Sequence, residues 1–285
     1  MALKTGIQLY SVREHMAKDP VETIKEVVAA GYTNAEAANG NALTDTGVGF
    51  GVDAKEMNAL MKRCGFRIIS AHVSPLNDDN IGRVLEYNLA IGNRTLVDAF
   101  GIYASVDDVL RKAEQLEKIG EACRKAGARF LYHNHFQEFY RFGDKTIYDI
   151  LLTNTSPENV GLELDTYWAM RGGADPIQLI EQNAGRIKML HQKDWSRSSQ
   201  TPRNLFDLLG SKPALQSDFG KVCKEEDFAE IGSGRMDIQR IIDAANAAGG
   251  IEYLILEQDF SSYDEIASIR MSMEGLKRFS GITLC

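Results

Sequence analysis

The sequence predicts a (β/α)8 TIM barrel: a parallel sheet closed on itself and wrapped by helices. Three observations lead there. Eight short apolar runs alternate with amphipathic stretches along nearly the whole chain, which is the pattern of parallel strands joined by crossover helices. Several helical stretches end in glycine directly before the next strand, at Gly31, Gly65, Gly127 and Gly250, as the left-handed cap of an αβ loop requires. The length of 285 residues suits such a barrel as one unit, and no Pro/Ser linker or composition shift divides it. A single domain over 1–285 is therefore expected.

The elements follow in order. TGIQLY (5–10) reads as the first strand and PVETIKEVVAAG (20–31) as the helix after it. TNAEAA (33–38) is the second strand, followed by the helix AKEMNALMKRCG (54–65). FRIISAHV (66–73) and RTLVDAF (94–100) are the third and fourth strands. The long helix VDDVLRKAEQLEKIGEACRKAG (106–127) leads to the fifth, RFLYHNH (129–135). VGLELD (160–165) and RIKMLH (186–191) are the sixth and seventh, and DIQRIIDAANAAGG (237–250) precedes the eighth, YLILEQ (253–258). Residues 195–236 break this rhythm with a long, weakly periodic insertion. Loops of that length commonly serve as functional lids, and in a barrel this one lies on the face where chemistry is done.

Composition narrows the partner. The net charge is −8, which argues against nucleic acid, whose binding rests on cations that neutralise phosphates. The N-terminus lacks the apolar core of a signal peptide, and no stretch approaches a membrane span. Cys64, Cys123, Cys223 and Cys285 are scattered without a C-x-x-C pair, as reduced thiols of a cytoplasmic protein are. A small molecule is the expected partner.

The chemistry is written at the strand ends. Gln8, Glu36 and His72 close the first three strands; His133, His135 and Glu138 close the fifth; Asp165, His191 and Glu257 close the last three. In a barrel these ends converge on one mouth. Glu138, Asp165, His191 and Glu257 make three carboxylates and one imidazole, a set suited to Mn²⁺ or Mg²⁺, with Co²⁺ or Zn²⁺ as alternatives. Such carboxylates would repel one another in a partly dry pocket without a cation. Taken singly, each residue has a plain structural reading: Asp165 as a helix N-cap, Glu257 as an ion-pair partner of Lys193, a buried histidine as a satisfied core residue. Four ligand types at four successive strand ends are much harder to explain that way.

The motifs GIQLYSVR, YHNHFQEF (132–139), LELDTYWAMRGG (162–173), HQKD (191–194), EIGSGRMD (230–237) and LEQD (256–259) resemble the xylose isomerase-like TIM-barrel superfamily, in particular its sugar phosphate isomerase/epimerase branch. The resemblance runs from the first strand to the last. It implies one divalent metal held by Glu138, Asp165, His191 and Glu257. Many relatives carry the first metal Glu inside the strand, near His133 or His135, whereas this chain has an H-N-H-x-x-E form. Glu138 is favoured here as the ligand because it keeps the charge of the site. The implied reaction is α-proton abstraction from a keto-sugar or sugar phosphate through a metal-stabilised enediolate, giving an isomerase or epimerase. The alternative is a carbon–oxygen lyase or dehydratase acting on keto-inositols or 3-keto-glycosides at the same site.

His135, Glu138 and Glu257 are the candidate acid/base groups. His72, His133, Lys193, Trp168 and Glu36 are candidates for substrate contact, with Asp194 expected to orient His191 and Arg235 a weaker partner for an anionic group. Phe136, Tyr167 and Trp195 could stack on sugar or fill a loop core. An abasic-site endonuclease, which shares the superfamily, is disfavoured by five histidines and the acidic charge; a non-enzymatic sugar-binding barrel would hold no tight metal. Homo-oligomerisation is what the resemblance implies about assembly.

Overall fold

Residues 2–210 and 212–285 are described by a computed structural model. Eight strands form the barrel: β1 (Leu3–Gln8), β2 (Asn34–Asn39), β3 (Arg67–Val73), β4 (Thr95–Asp98), β5 (Arg129–His133), β6 (Gly161–Asp165), β7 (Ile187–Gln192) and β8 (Tyr253–Leu256). Each lies parallel to the next, and β8 returns to β1 with Lys4 opposite Tyr253 and Ile7 opposite Leu256, closing the sheet. A two-residue strand, Ile282–Thr283, adds to β1 beside Leu3 and Lys4.

Local hydrogen bonds set where strands stop. β1 ends two residues before the sequence suggests, because the Gln8 side chain accepts the Tyr10 N–H at 3.1 Å and starts a 3-10 turn over Leu9–Val12. β5 ends at His133, not His135. The Glu138 carboxylate accepts the His135 N–H at 2.8 Å and folds the chain into a turn over Gln137–Phe139. The helices between strands are capped as their residues dictate. Asp53 caps Ala54–Cys64 by accepting the Glu56 N–H at 2.8 Å, and Gly65 ends that helix at φ 69°, where a side chain would be strained.

Inside the barrel Val97, Leu131, Met189 and Ile255 meet in an apolar layer. Leu131, Met189 and Ile255 stand two residues before His133, His191 and Glu257. The two-residue period of a strand therefore stacks those polar groups directly above the apolar layer, on the same inward face.

The 195–236 segment is packed rather than loose. It contains the helix Gln216–Val222 and a short strand, Phe228–Ala229, antiparallel to Asp194–Trp195. Phe136, Tyr167, Trp168, Met170, Trp195, Leu205, Val222 and Phe228 form a second apolar cluster beneath it. Fully buried Arg171 ties it down, donating to Tyr167 Oη at 3.0 Å and Thr201 Oγ1 at 2.7 Å, with Asp227 at 3.7 Å.

Candidate metal centre and active site

A cavity of about 560 Å³ opens at the C-terminal ends of the strands. His72, His133, His135, Trp168, Glu257 and Asp259 line it, and Phe219 and Cys223 of the 195–236 segment form part of its wall.

In its floor, His133, Asp165, His191 and Glu257 are all buried, and one ligand atom from each lies within 4.8 Å of the others. Asp165, His191 and Glu257 are thus brought together from three neighbouring strands. Glu138 is not with them. Its oxygens accept the Tyr132 hydroxyl at 2.7 Å and the His135 N–H at 2.8 Å, and Tyr132 in turn bonds Tyr103 at 2.7 Å. The turn after β5 carries the carboxylate back toward these tyrosines, and His133, still inside the strand, stands in the group instead. Burial pushes the Glu138 carboxyl up to about 7.

Asp165 and His191 make further bonds that hold them in place. Asp165 accepts the Trp168 N–H through Oδ1 at 2.7 Å, so it caps the helix Thr166–Arg171 while Oδ2 faces the group. Asn134 exchanges two 3.1 Å bonds with the Asp165 backbone and locks β5 to β6. His191 Nδ1 is 2.9 Å from Glu257 Oε2, and its Nε2 is 2.5 Å from Glu36 Oε1.

Below the cavity, Glu36 is fully buried. Its oxygens accept from Gln8 at 2.9 Å and Ser70 at 2.5 Å and lie beside His72 and His191, so it does not reach the cavity as a substrate contact. His72 does reach it, and its Nε2 is 2.6 Å from Glu163 Oε2. Lys193, also fully buried, lies 2.5 Å from Asp165, 2.5 Å from Glu257 and 3.8 Å from Asp259.

These groups set one another's protonation. Burial opposes charge on Glu257, but Lys193 and His191 outweigh it and hold the carboxyl well below the usual range. Burial would lower His72, yet Glu36 and Glu163 raise it to about 10, and the same carboxylates with Glu257 raise His191. His133 is driven down by burial and by the neighbouring imidazoles. Burial and Lys193 hold His135 down to about 3, so an uncharged ring faces the cavity.

The donor set fits a divalent cation. Two carboxylates and two imidazoles converge there, oxygen and nitrogen donors of the kind that bind such ions.

Other residues singled out in the sequence have structural work. Asp194 does not orient His191; it accepts the N–H groups of Trp195, Gly232, Gly234 and Met236 at 2.8–3.1 Å and holds the EIGSGRMD turn. Arg235 donates to the backbone carbonyls of Ser196, Arg197 and Ser199 and stacks on Trp195 at 4.3 Å, leaving no free cation for a substrate. Phe136, Tyr167 and Trp195 fill the cluster under the insertion, while Trp168 also lines the cavity. The sequence reading passed over Glu163 and Asp259 as site residues. Their signal was the two-residue spacing from Asp165 and Glu257, which puts each pair on one face of an extended segment.

A closed parallel barrel thus carries at its C-terminal mouth buried imidazoles and carboxylates that could hold a metal ion. The chain belongs to the xylose isomerase-like TIM barrel family, whose model matches residues 24–279. It is 28% identical over 155 residues to an inosose dehydratase of Lacticaseibacillus casei, covering 54% of this chain and 48% of that protein. The chain thus spans about half the length of the curated relatives it matches. A sugar phosphate isomerase/epimerase from Parabacteroides distasonis superposes with a TM-score of 0.74 at 24% identity, covering 99% of this chain and 96% of that one. A probable 3-DHS dehydratase from Bacillus anthracis superposes with a TM-score of 0.70 at 14% identity, covering 97% and 99%. No helix among the described residues is long and apolar enough to cross a membrane.

Proposed function

We propose that this chain removes a proton next to the ketone of an uncharged, polyhydroxylated ring and expels the hydroxyl one carbon further on as water: a metal-dependent dehydratase. The observation that carries the reading is the buried His133–Asp165–His191–Glu257 group in the floor of a cavity that uncharged His135 also lines. These four residues would hold the cation, and two nitrogen donors favour Zn²⁺, Co²⁺ or Mn²⁺ over Mg²⁺. When bound, a divalent cation supplies Lewis acidity toward the ketone oxygen.

The protein groups do the rest. His135 lies in the cavity in its proton-accepting form, with Nδ1 unpartnered. Asp259, whose carboxyl burial raises to about 7, faces the same cavity just beyond β8 and gives the leaving hydroxyl its proton. The C–H bond breaks as its proton passes to His135, a C=C bond forms between the two carbons, and the C–O bond breaks as the hydroxyl takes the Asp259 proton and leaves as water. Isomerisation or epimerisation would share the first step and differ only in returning the proton to carbon.

An uncharged substrate follows from the lining. Among the described residues no Lys or Arg side chain lines this cavity, whereas Glu257 and Asp259 do. The guanidinium of Arg13 near the rim is stacked on Tyr10 at 4.4 Å and bonded to the Asp259 carbonyl at 2.7 Å. A phosphate would meet the Glu257 and Asp259 carboxylates there with no guanidinium or ammonium in the lining among the described residues. Elimination is preferred to isomerisation because the curated relatives that match carry the name inosose dehydratase.

The test is to incubate the metal-loaded protein with an inosose, an unphosphorylated ketose and a ketose phosphate in D₂O. Loss of water from the inosose, abolished by a chelator and restored by Mn²⁺, Co²⁺ or Zn²⁺, is the expected result. Deuterium exchange or a new ketose without loss of water would replace the dehydratase reading with an isomerase or epimerase. Turnover of the phosphate alone would overturn the uncharged-substrate reading.

A further inference from the structure

Among the described residues, two overlapping groups of ligand-type side chains lie in this barrel. One is His133, Asp165, His191 and Glu257; the other is His72, His133, Glu163 and His191. Two cation sites would demand a lone pair from both nitrogens of His133 and of His191. A neutral imidazole has only one, since its other nitrogen carries a proton. Both nitrogens of His191 face carboxylates. Nε2 is 2.5 Å from Glu36 Oε1, and that carboxylate is fixed by Gln8 at 2.9 Å, Ser70 at 2.5 Å and His72 at 3.1 Å. Nδ1 faces Glu257 at 2.9 Å, inside the first group.

We propose that Glu36 is a positioning residue for a single metal centre: it holds the Nε2 proton of His191 and thereby leaves Nδ1 as the ring's metal-binding atom. This rests on the metal reading of the site given above. Metal-binding histidines characteristically donate their second N–H to an outer carboxylate, which fixes the tautomer and makes the ring a stronger donor. Glu36 reaches His191 from β2, across the barrel interior from β7, so the centre is tied to a strand that contributes no ligand of its own. Glu163 is the corresponding neighbour of His133, with Oε2 3.2 Å from Nδ1, and the second group is then the outer support of the first rather than another cation site.

The experiment uses the full chain with Zn²⁺ as the probe, titrated against a fluorescent chelator, with metal content per chain measured directly. One Zn²⁺ per chain is expected, and Glu36→Gln should weaken it about 10- to 100-fold. Ser70→Ala, which removes one anchor of Glu36, should give a smaller loss in the same direction. In the Zn²⁺-loaded wild type, ¹⁵N spectra of the imidazoles should show a proton on Nε2 of His191 and none on Nδ1. Two tightly bound Zn²⁺ per chain, the opposite tautomer, or wild-type affinity in Glu36→Gln each overturns the assignment. Were Glu36→Gln not to fold, the tautomer and Ser70→Ala decide. A wild type that binds no divalent cation removes the metal reading as well. One that binds Zn²⁺ as tightly as Glu36→Gln does removes the role of Glu36 alone.

Discussion

Lys193 Nζ stands 2.5 Å from Asp165 Oδ2, with both side chains fully buried. The same ammonium lies 2.5 Å from Glu257, so it is shared between two carboxylates that belong to the candidate metal group. A bound cation and Lys193 would therefore neutralise the same charges. Removing one partner of a buried ion pair strands the other and costs about 3–5 kcal/mol. Lys193→Met should accordingly lower the melting temperature of metal-free protein sharply, while added Mn²⁺ should raise it more than in wild type. Thermal melts of both proteins with and without Mn²⁺ measure this. An equal metal-induced shift in the two would refute the shared-charge picture.

Glu138 gives a pH-dependent test. Its carboxyl is raised from an ordinary 4.5 to about 7 by burial, so the folded chain keeps a proton that the unfolded chain releases between those values. The stabilisation is complete below pH 4.5 and is lost as pH rises through about 7. The loss is up to ~3 kcal/mol, at 1.36 kcal/mol per pKa unit. Urea unfolding of wild type and Glu138→Gln at pH 5 and pH 7.5 should show the variant gaining relative stability at the higher pH. Because its oxygens are engaged by Tyr132 and the His135 N–H, the same variant should keep wild-type Zn²⁺ affinity. A tenfold loss of affinity would return Glu138 to the metal.

The contrast between Glu138 and Asp165 shows what the sequence can carry. Asp165, His191 and Glu257 end or follow strands whose apolar alternation is local and strong, so their facing could be read from a two-residue period. Glu138 lies beyond the strand end, where that period lapses. Its position is decided by a bond from its own side chain to the His135 N–H, which no periodicity announces. Gln8 ends β1 by the same device. Glu163 and Asp259 were within reach of the two-residue rule, being paired with Asp165 and Glu257. The partners of Asp194 and Arg171 lie tens of residues away, so the order within 195–236 had no local signal.

Gly234 tests how that turn is held. A Cβ there would collide with Asp194 Oδ1 and the Trp195 carbonyl, the groups that organise residues 232–236. Overpacking of this kind costs about 1–3 kcal/mol. Gly234→Ala should therefore lower the urea midpoint by that equivalent, while Gly185→Ala, with open space around its Cβ, should not. Equal midpoints for the two variants would mean that the turn yields freely and that Asp194 does not fix it.

Phe219 connects the insertion to the ligand. It sits on the helix Gln216–Val222, lines the cavity, and packs 5.3 Å from Phe100 and 5.0 Å from Phe136, with His135 at 6.1 Å. An aromatic ring there can lie against the apolar face of a hydroxylated ring, and aromatic pairs are worth about 0.5–1.5 kcal/mol beyond the area they bury. Its ring neighbours Phe100, Phe136 and His135 lie outside the candidate metal group, so its loss should act on substrate and leave the metal alone. Phe219→Ala should raise KM for an uncharged ketone roughly tenfold, at 1.4 kcal/mol per decade, and change kcat less. Zn²⁺ affinity should be unchanged. Leu208→Ala, at a half-exposed position of the same segment, should alter neither constant. If Phe219→Ala keeps the wild-type KM, the 195–236 segment does not form the substrate wall, and selectivity must then come from Asn39, Gly40 and the strand-end residues that complete the cavity.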